Sequence, residues 1–204
     1  KITSTMVDTK KYKSNDTKFN SQTKNVLFCS SLIKTKGVYE LLNSIREVTI
    51  KHSNVKFIIM GDGKELKNLM HLSERLQIHK NVFFTGHVKG KMKSYIFSMS
   101  HVFVLPSYTE GFPNVILEAL ASKMAVIATP VGGINDFFVD GKNGFFLDSV
   151  PPKSADISAK LDIILSNDYN LVNMAMNNRQ LALDKYDCNV VGMAVSRAYE
   201  MVNS

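Results

Sequence analysis

From residue 25 onward, short continuous apolar runs alternate with longer stretches whose apolar residues recur at helical spacing, and few folds accommodate that alternation. "NVLFCSSLI" is apolar without a helical period and predicts a buried strand. Gly37 then opens a segment whose apolar positions, Val38, Leu41, Leu42, Ile45 and Val48, share one face of a 3.6-residue period. "VKFIIMG" predicts a second strand, closed by Gly61-Asp62-Gly63. Residues 64–77 then predict a helix with Leu66, Leu69, Met70 and Leu76 inward. A third strand, "VFFTG", precedes a short helix over 91–99. The runs "HVFVLPS" and "AVIATP" bracket another helix, and "FFLD" adds a short strand. From Pro151 the pattern is helical to the end, interrupted at 166–169. Strands alternating with helices of this length imply parallel βαβ units. Right-handed crossovers make them a doubly wound, Rossmann-like α/β sheet. Residues 25–204 read as that domain, and 1–24 as a polar leader or linker.

Composition narrows the class. The chain has 204 residues, 45% of them hydrophobic, with a mean hydropathy of −0.05, which suits a globular core. No run reaches the roughly 18 apolar residues of a membrane helix, and no signal peptide is visible. The chain opens on Lys1 rather than Met, so we expect it to be part of a longer protein. Of the net charge of +7, residues 1–24 supply +4. Much of the excess therefore belongs to a polar leader, and no basic strip interleaved with aromatics points to nucleic acid. Cys29 and Cys188, with five scattered histidines, have neither zinc-ligand nor disulfide spacing. We expect no metal and a reducing, cytoplasmic setting.

In such a sheet a ligand lies beyond the carboxyl ends of the strands. The loops expected there span 30–37, 61–64, 86–90, 107–114 and 130–136. They are rich in glycine, hydroxyls and lysine, which suits phosphate, because helix-start amides and a nearby cation favour an anion. Lys34 and Lys36 stand at the mouth of the first helix. Pro113 suits a first helical turn, leaving the amides of Asn114 and Val115 to face the cleft. Glu110 and Glu118 lack a histidine partner in sequence and fit hydroxyl acceptance better than acid–base work. Asn114, Glu118 and Ser122 also fit a solvated helix face. The dinucleotide fingerprint fails at Leu66, and neither a Walker loop nor a Gly-x-Ser-x-Gly elbow is present.

The run from Glu110 to Ala119, "EGFPNVILEA", resembles the E-x7-E signature of the family-4, or group 1, retaining glycosyltransferases of the GT-B fold. "VLFCSSLIKTKGVYELL", "FIIMGDGKE", "VFFTGHV", "VFVLPSYTEG", "AVIATPVGGINDFFVDGKNGFFL" and "RAYEMV" follow in that family's order. "MVDTKKY" resembles the stretch after its interdomain linker. The resemblance implies the C-terminal half of a GT-B architecture, which binds a UDP- or GDP-linked sugar and needs no cofactor. Glu110 would contact the sugar hydroxyls, helped by the amides of Gly111, Phe112, Pro113, Asn114 and Val115 in so far as each has one. Glu118 would hold the ribose, and Lys36 would neutralise the diphosphate. Val88 would meet the base through its backbone, and Gly132 and Gly133 would lie near the sugar. Glu110 and Lys36 are thus the residues implied for catalysis, and the rest for binding.

Two departures stand out. Ser30 and Ser31 occupy the place of the family's Gly-Arg, and the Gly-Gly-x-x-Glu pattern ends in Asp136. The resemblance also implies a missing N-terminal acceptor half, which would carry any peripheral contact with the inner membrane. It implies a transferase fragment, inactive alone, that serves a saccharide or lipid-linked acceptor. A degenerate binding module and a GT-B-like sugar-nucleotide epimerase are the alternatives.

Overall fold

The computed structural model describes residues 5–202. Six strands form one sheet: β1 (Lys24–Cys29), β2 (Val55–Met60), β3 (Val82–Gly86), β4 (Val102–Leu105), β5 (Ala125–Ala128) and β6 (Gly144–Phe146). Their order is β3-β2-β1-β4-β5-β6, and every pairing is parallel. Among the described residues seven α-helices accompany them: α1 (Val38–Lys51), α2 (Leu66–Arg75), α3 (Gly90–Met99), α4 (Asn114–Ala121), α5 (Ser154–Leu165), α6 (Asp168–Leu181) and α7 (Cys188–Val202). The doubly wound sheet expected from the sequence is the one observed.

Both faces of the central strands are covered, which is why β4 and β5 are apolar at every position. Side-chain alternation divides the core in two. Val26, Phe28, Phe57, Ile59, Val104 and Ile127 face α1, α2, α5 and α6. Leu27, Phe103, Leu105, Val126 and Ala128 face α3 and α4. Strand order reverses between β1 and β4, where Val26 and Leu27 pair with Val102 and Phe103, so a crevice opens beyond those two strand ends.

Four details differ from the sequence reading. Helix α2 is shorter than expected, and Met70 is 47% exposed, whereas Leu72 is buried beside Leu69. A stripe at 66, 69 and 72 therefore faces inward, and Met70 lies off it. Strand β6 begins at Gly144, before the expected "FFLD". The residues before β1 are not merely a solvated leader: Val7, Tyr12 and Lys18 are buried, and Tyr12 packs edge-on against Phe97. Finally, the closing helical region breaks twice. The expected break falls after α5, where the Asn167 side chain caps the Asn170 amide at the start of α6. The unexpected one is a wide turn over Ala182–Tyr186 before α7. Val7 bridges to the chain at this point, its carbonyl receiving the Cys188 amide and its own amide donating to Tyr186 O.

Candidate functional site

The loops at the crevice are stitched to one another by backbone hydrogen bonds. Ser30 N–H donates to Met60 O at 3.1 Å, Leu32 N–H to Asp62 O at 2.9 Å, and Gly61 N–H to Gly86 O at 2.9 Å. Tyr108 N–H donates to Thr35 O at 2.8 Å, joining the loop after β4 to the loop after β1. The result is an open cleft of about 370 Å³. Ser30, Ser31, Gly61, Asp62, His87 and Val88 line one side. Glu110, Pro113, Asn114 and Val115 line the other, with Cys29, Met60 and Lys93 completing the wall.

Two groups orient Glu110. Lys36 Nζ and Ser107 Oγ both donate to its Oε1 at 2.7 Å, so the second carboxylate oxygen is not needed to hold the side chain. Lys36 belongs to a single 3₁₀ turn, Lys34–Lys36, that ends at Gly37. Gly37 is left-handed (φ +67°), and its α-carbon faces the Pro106 carbonyl. The Gly132-Gly133 turn supports the other end of this loop. Gly133 N–H donates to Gly111 O at 2.7 Å, and a side chain on Gly132 would collide with the carbonyls of Glu110 and Gly111. A methyl on Gly133 would likewise press on the Phe112 ring. The two glycines permit a close approach that fixes Glu110 from below.

Glu118, one turn into α4, is held differently. Tyr12 OH donates to its Oε1 at 2.7 Å, and Lys93 Nζ lies 2.6 Å from Oε2. The lysine contact is a close charge pair rather than an aligned hydrogen bond. Oε2 is therefore shut away from water yet retains acceptor capacity. Burial, then the bond to Glu118, pushes the Tyr12 hydroxyl pKa far up, so it stays a proton donor. Both charges act on Cys29 at the end of β1. Burial chiefly raises that thiol to about 11, Lys93 opposes the rise and Glu118 adds to it. Such a thiol is unreactive at neutral pH.

Helix α4 starts at Asn114, with Pro113 as the residue before it rather than inside the first turn. Its first amides have no partner within the helix, and Asn114 and Val115 both line the cleft. A positive helix end, two carboxylates and two ammonium groups thus meet at the switch point of a parallel sheet. That set can hold a ligand bearing both hydroxyls and negative charge.

Comparison with known proteins decides the family. The model describing group 1 glycosyl transferases matches residues 9–181. The chain belongs to that family. This group 1 glycosyltransferase chain is 28% identical over 174 residues to the capsular polysaccharide biosynthesis glycosyltransferase CapM of Staphylococcus aureus, a match covering 84% of the chain and 44% of CapM. Its fold superimposes on the C-terminal domain of the group 1 family protein LpcC from Francisella tularensis with a TM-score of 0.80. That match is 26% identical and covers 89% of the chain and 99% of the LpcC domain. HepE of Anabaena, crystallised with UDP and glucose, shares the fold at a TM-score of 0.83 and 20% identity, over 96% of the chain and 55% of HepE. The chain spans less than half the length of the curated relatives it matches.

The structure of this group 1 family chain gathers most of the residues singled out in the sequence. Ser30, Ser31, Val88, Glu110, Pro113, Asn114 and Val115 line the cleft directly. Lys36 joins it through Glu110, and Glu118 through Lys93. Gly111, Phe112, Gly132 and Gly133 form the support behind Glu110. Lys34 is exposed and makes no part of the wall. Lys93, Tyr12 and Ser107 are the participants that sequence reasoning missed. Ser107 stands three residues from Glu110, a local signal. Tyr12 lies 106 residues from Glu118, and no spacing rule could link them. Among the described residues, no group of three or more histidines, cysteines or acids could hold a metal ion, and no helix is long and apolar enough to cross a membrane.

Proposed function

We propose that this chain is the nucleotide-sugar-binding half of a retaining glycosyltransferase that uses a UDP- or GDP-linked sugar. The carrying observation is the placement of Glu110 and Glu118 around the start of α4, at the switch point of the sheet. In this reading Glu110, fixed by Lys36 and Ser107, accepts hydroxyls of the sugar, and Glu118 accepts those of the ribose. The backbone at Val88 meets the base. The amides opening α4 and the Lys36 ammonium face the diphosphate, whose charge grows as the sugar departs. Stabilising that leaving charge is the chain's own contribution to the reaction, and it calls for no cofactor. The UDP and glucose held by HepE support the ligand class, and CapM, named for capsular polysaccharide biosynthesis, supports a polysaccharide product; the acceptor in this reading is a saccharide or a lipid-linked one. Acceptor binding, and any contact with a membrane surface, belong to a separate acceptor half. Alone, the chain binds the nucleotide sugar in the cytoplasm without completing transfer.

A thermal-shift titration with UDP, GDP and ADP tests this. A ligand at one hundred times its Kd adds about 2.7 kcal/mol to the folded state, so one nucleotide should raise Tm clearly. Lys36→Ala should remove much of that rise, because a hydrogen bond to a charged group contributes about 1.5–3 kcal/mol. No shift with any of the three would favour a degenerate module, the reading that the uncharged Ser30-Ser31 pair suggests.

A further inference from the structure

The cleft is poor in positive charge for a site that should hold a diphosphate. Of the residues lining it, two are carboxylates, Asp62 and Glu110, and the one ammonium among them is Lys93. Ser30 and Ser31 bring hydroxyls without charge. Lys36 is engaged by Glu110 at 2.7 Å. Lys93 is itself engaged at 2.6 Å by Glu118, whose Oε2 it covers. In this arrangement neither member of the Lys93–Glu118 pair is free to meet a ligand.

We propose that Lys93 is a ligand-binding residue that trades Glu118 for the diphosphate when the nucleotide enters. The inference rests on the reading of the cleft as a nucleoside-diphosphate site. Separating the pair leaves two partly buried charges without their ion-pair partner unless both are satisfied at once, and leaving either alone is costly. A ribose diol donates to the Glu118 carboxylate, in particular to Oε2, which has no aligned donor. Phosphate oxygens accept from the released Lys93 ammonium. Pyrophosphate alone offers nothing to Glu118, and a nucleoside alone offers nothing to Lys93. The pair therefore selects molecules carrying a diol and a diphosphate together. Lys93 can make this move because it stands on the first turns of α3, is only partly buried, and reaches the cleft along the Phe97 ring, 5.5 Å from its ammonium.

Isothermal titration tests the exchange on the chain as it stands. The probes are UDP, GDP and ADP, their nucleosides, and inorganic pyrophosphate, against wild type, Lys93→Met, Lys93→Arg and Glu118→Gln. Met keeps the packing on Phe97 and removes only the charge. Lys93→Met should weaken the bound nucleoside diphosphate by at least about tenfold, the scale of one charged hydrogen bond. Its affinity for the matching nucleoside should not fall, and Lys93→Arg should restore most of the diphosphate binding. Glu118→Gln should weaken the nucleoside yet tighten pyrophosphate, because Lys93 is then released in advance. Equal diphosphate binding by folded Lys93→Met and wild type overturns the proposal alone. So does pyrophosphate affinity unchanged by Glu118→Gln, an arm that decides even where the methionine variant fails to fold. A folded wild type that binds none of the three diphosphates overturns the functional reading, and this proposal with it.

Discussion

Gly37→Ala adds a single methyl group at the point where the Lys34–Lys36 turn gives way to α1, and it should destabilise the domain by about 2–5 kcal/mol. Two contributions make up that figure. The backbone at Gly37 is left-handed (φ +67°), and a non-glycine residue there costs about 1–2 kcal/mol. The new carbon would also lie 2.7 Å from the Pro106 carbonyl carbon, with the carbonyl oxygen closer still, and 3.0 Å from Pro106 Cβ. Backbone cannot rotate aside as a side chain can, so the start of α1 must withdraw from the end of β4 by roughly 1 Å, and overpacking of that kind costs about 1–3 kcal/mol. The withdrawal carries Lys36 away from Glu110, so nucleotide binding should fall with stability. Gly111→Ala is the control: nothing lies within 4 Å of an added carbon there, and its φ is not left-handed. It should change stability by no more than about 0.5 kcal/mol. Urea denaturation midpoints of both variants measure the difference. Gly37→Ala within about 1 kcal/mol of wild type, or Gly111→Ala as damaging as Gly37→Ala, would refute the close-approach argument.

Other perturbations probe the remaining buried polar contacts. His101 is buried; its Nδ1 accepts the Asn25 amide and its Nε2 faces Lys18 O, which fixes the neutral tautomer with the proton on Nε2. Burial lowers its pKa from 6.5 to about 4, so its contribution is complete above pH 6.5 and is lost as pH falls towards 4, about 3 kcal/mol in all. An imidazole NMR titration with a midpoint near 6.5 would contradict this. Asn178, fully buried, donates to Met124 O and Asn143 O at 2.7 Å and accepts from the Asn143 side chain at 2.6 Å. Asn178→Ala should cost about 3 kcal/mol in denaturant unfolding through the acceptors it strands, and a loss below about 1 kcal/mol would show that water replaces it. Tyr12→Phe should lower stability by about 1–3 kcal/mol, because it removes a hydrogen bond to a charged group from an otherwise unchanged ring. An unchanged denaturation midpoint would count against the Tyr12–Glu118 bond.

The sheet was legible because its strands are buried on both faces. Continuous apolar runs such as Val102–Leu105 leave few other readings, and helical periodicity marks α1 without ambiguity. The cleft loops followed from that order, since every βα loop of a parallel sheet emerges on the same edge. Legibility failed where the deciding contact is distant in sequence. Tyr12 reads as one aromatic in a polar leader until the fold sets it beside Glu118. Lys18 reads as solvated, yet it is 1% exposed, with Nζ donating to Ser100 O at 2.6 Å and Ser122 O at 2.8 Å. Burial brings its pKa down to about 7, and a neutral amine has two hydrogens for those two carbonyls. The break before α7 was hidden for the same reason, because the residue that bridges to it, Val7, stands at the other end of the sequence. Lys93 was passed over because one lysine among 25 basic residues carries no local mark.

The segment preceding β1 also determines where this domain can be cut. Arg179 donates to Thr9 O, Tyr12 O and Ala121 O, Thr9 donates to Asp187, and Tyr12 reaches Glu118. The first strand of the sheet begins only at residue 24, so a boundary drawn by secondary structure would discard this strap. What remained would keep every strand and every loop of the cleft, yet its Glu118 would have lost one of its two anchors. For engineering by domain exchange, the transferable unit begins upstream of the sheet, at the residues that pin the carboxylate rather than those that build the scaffold.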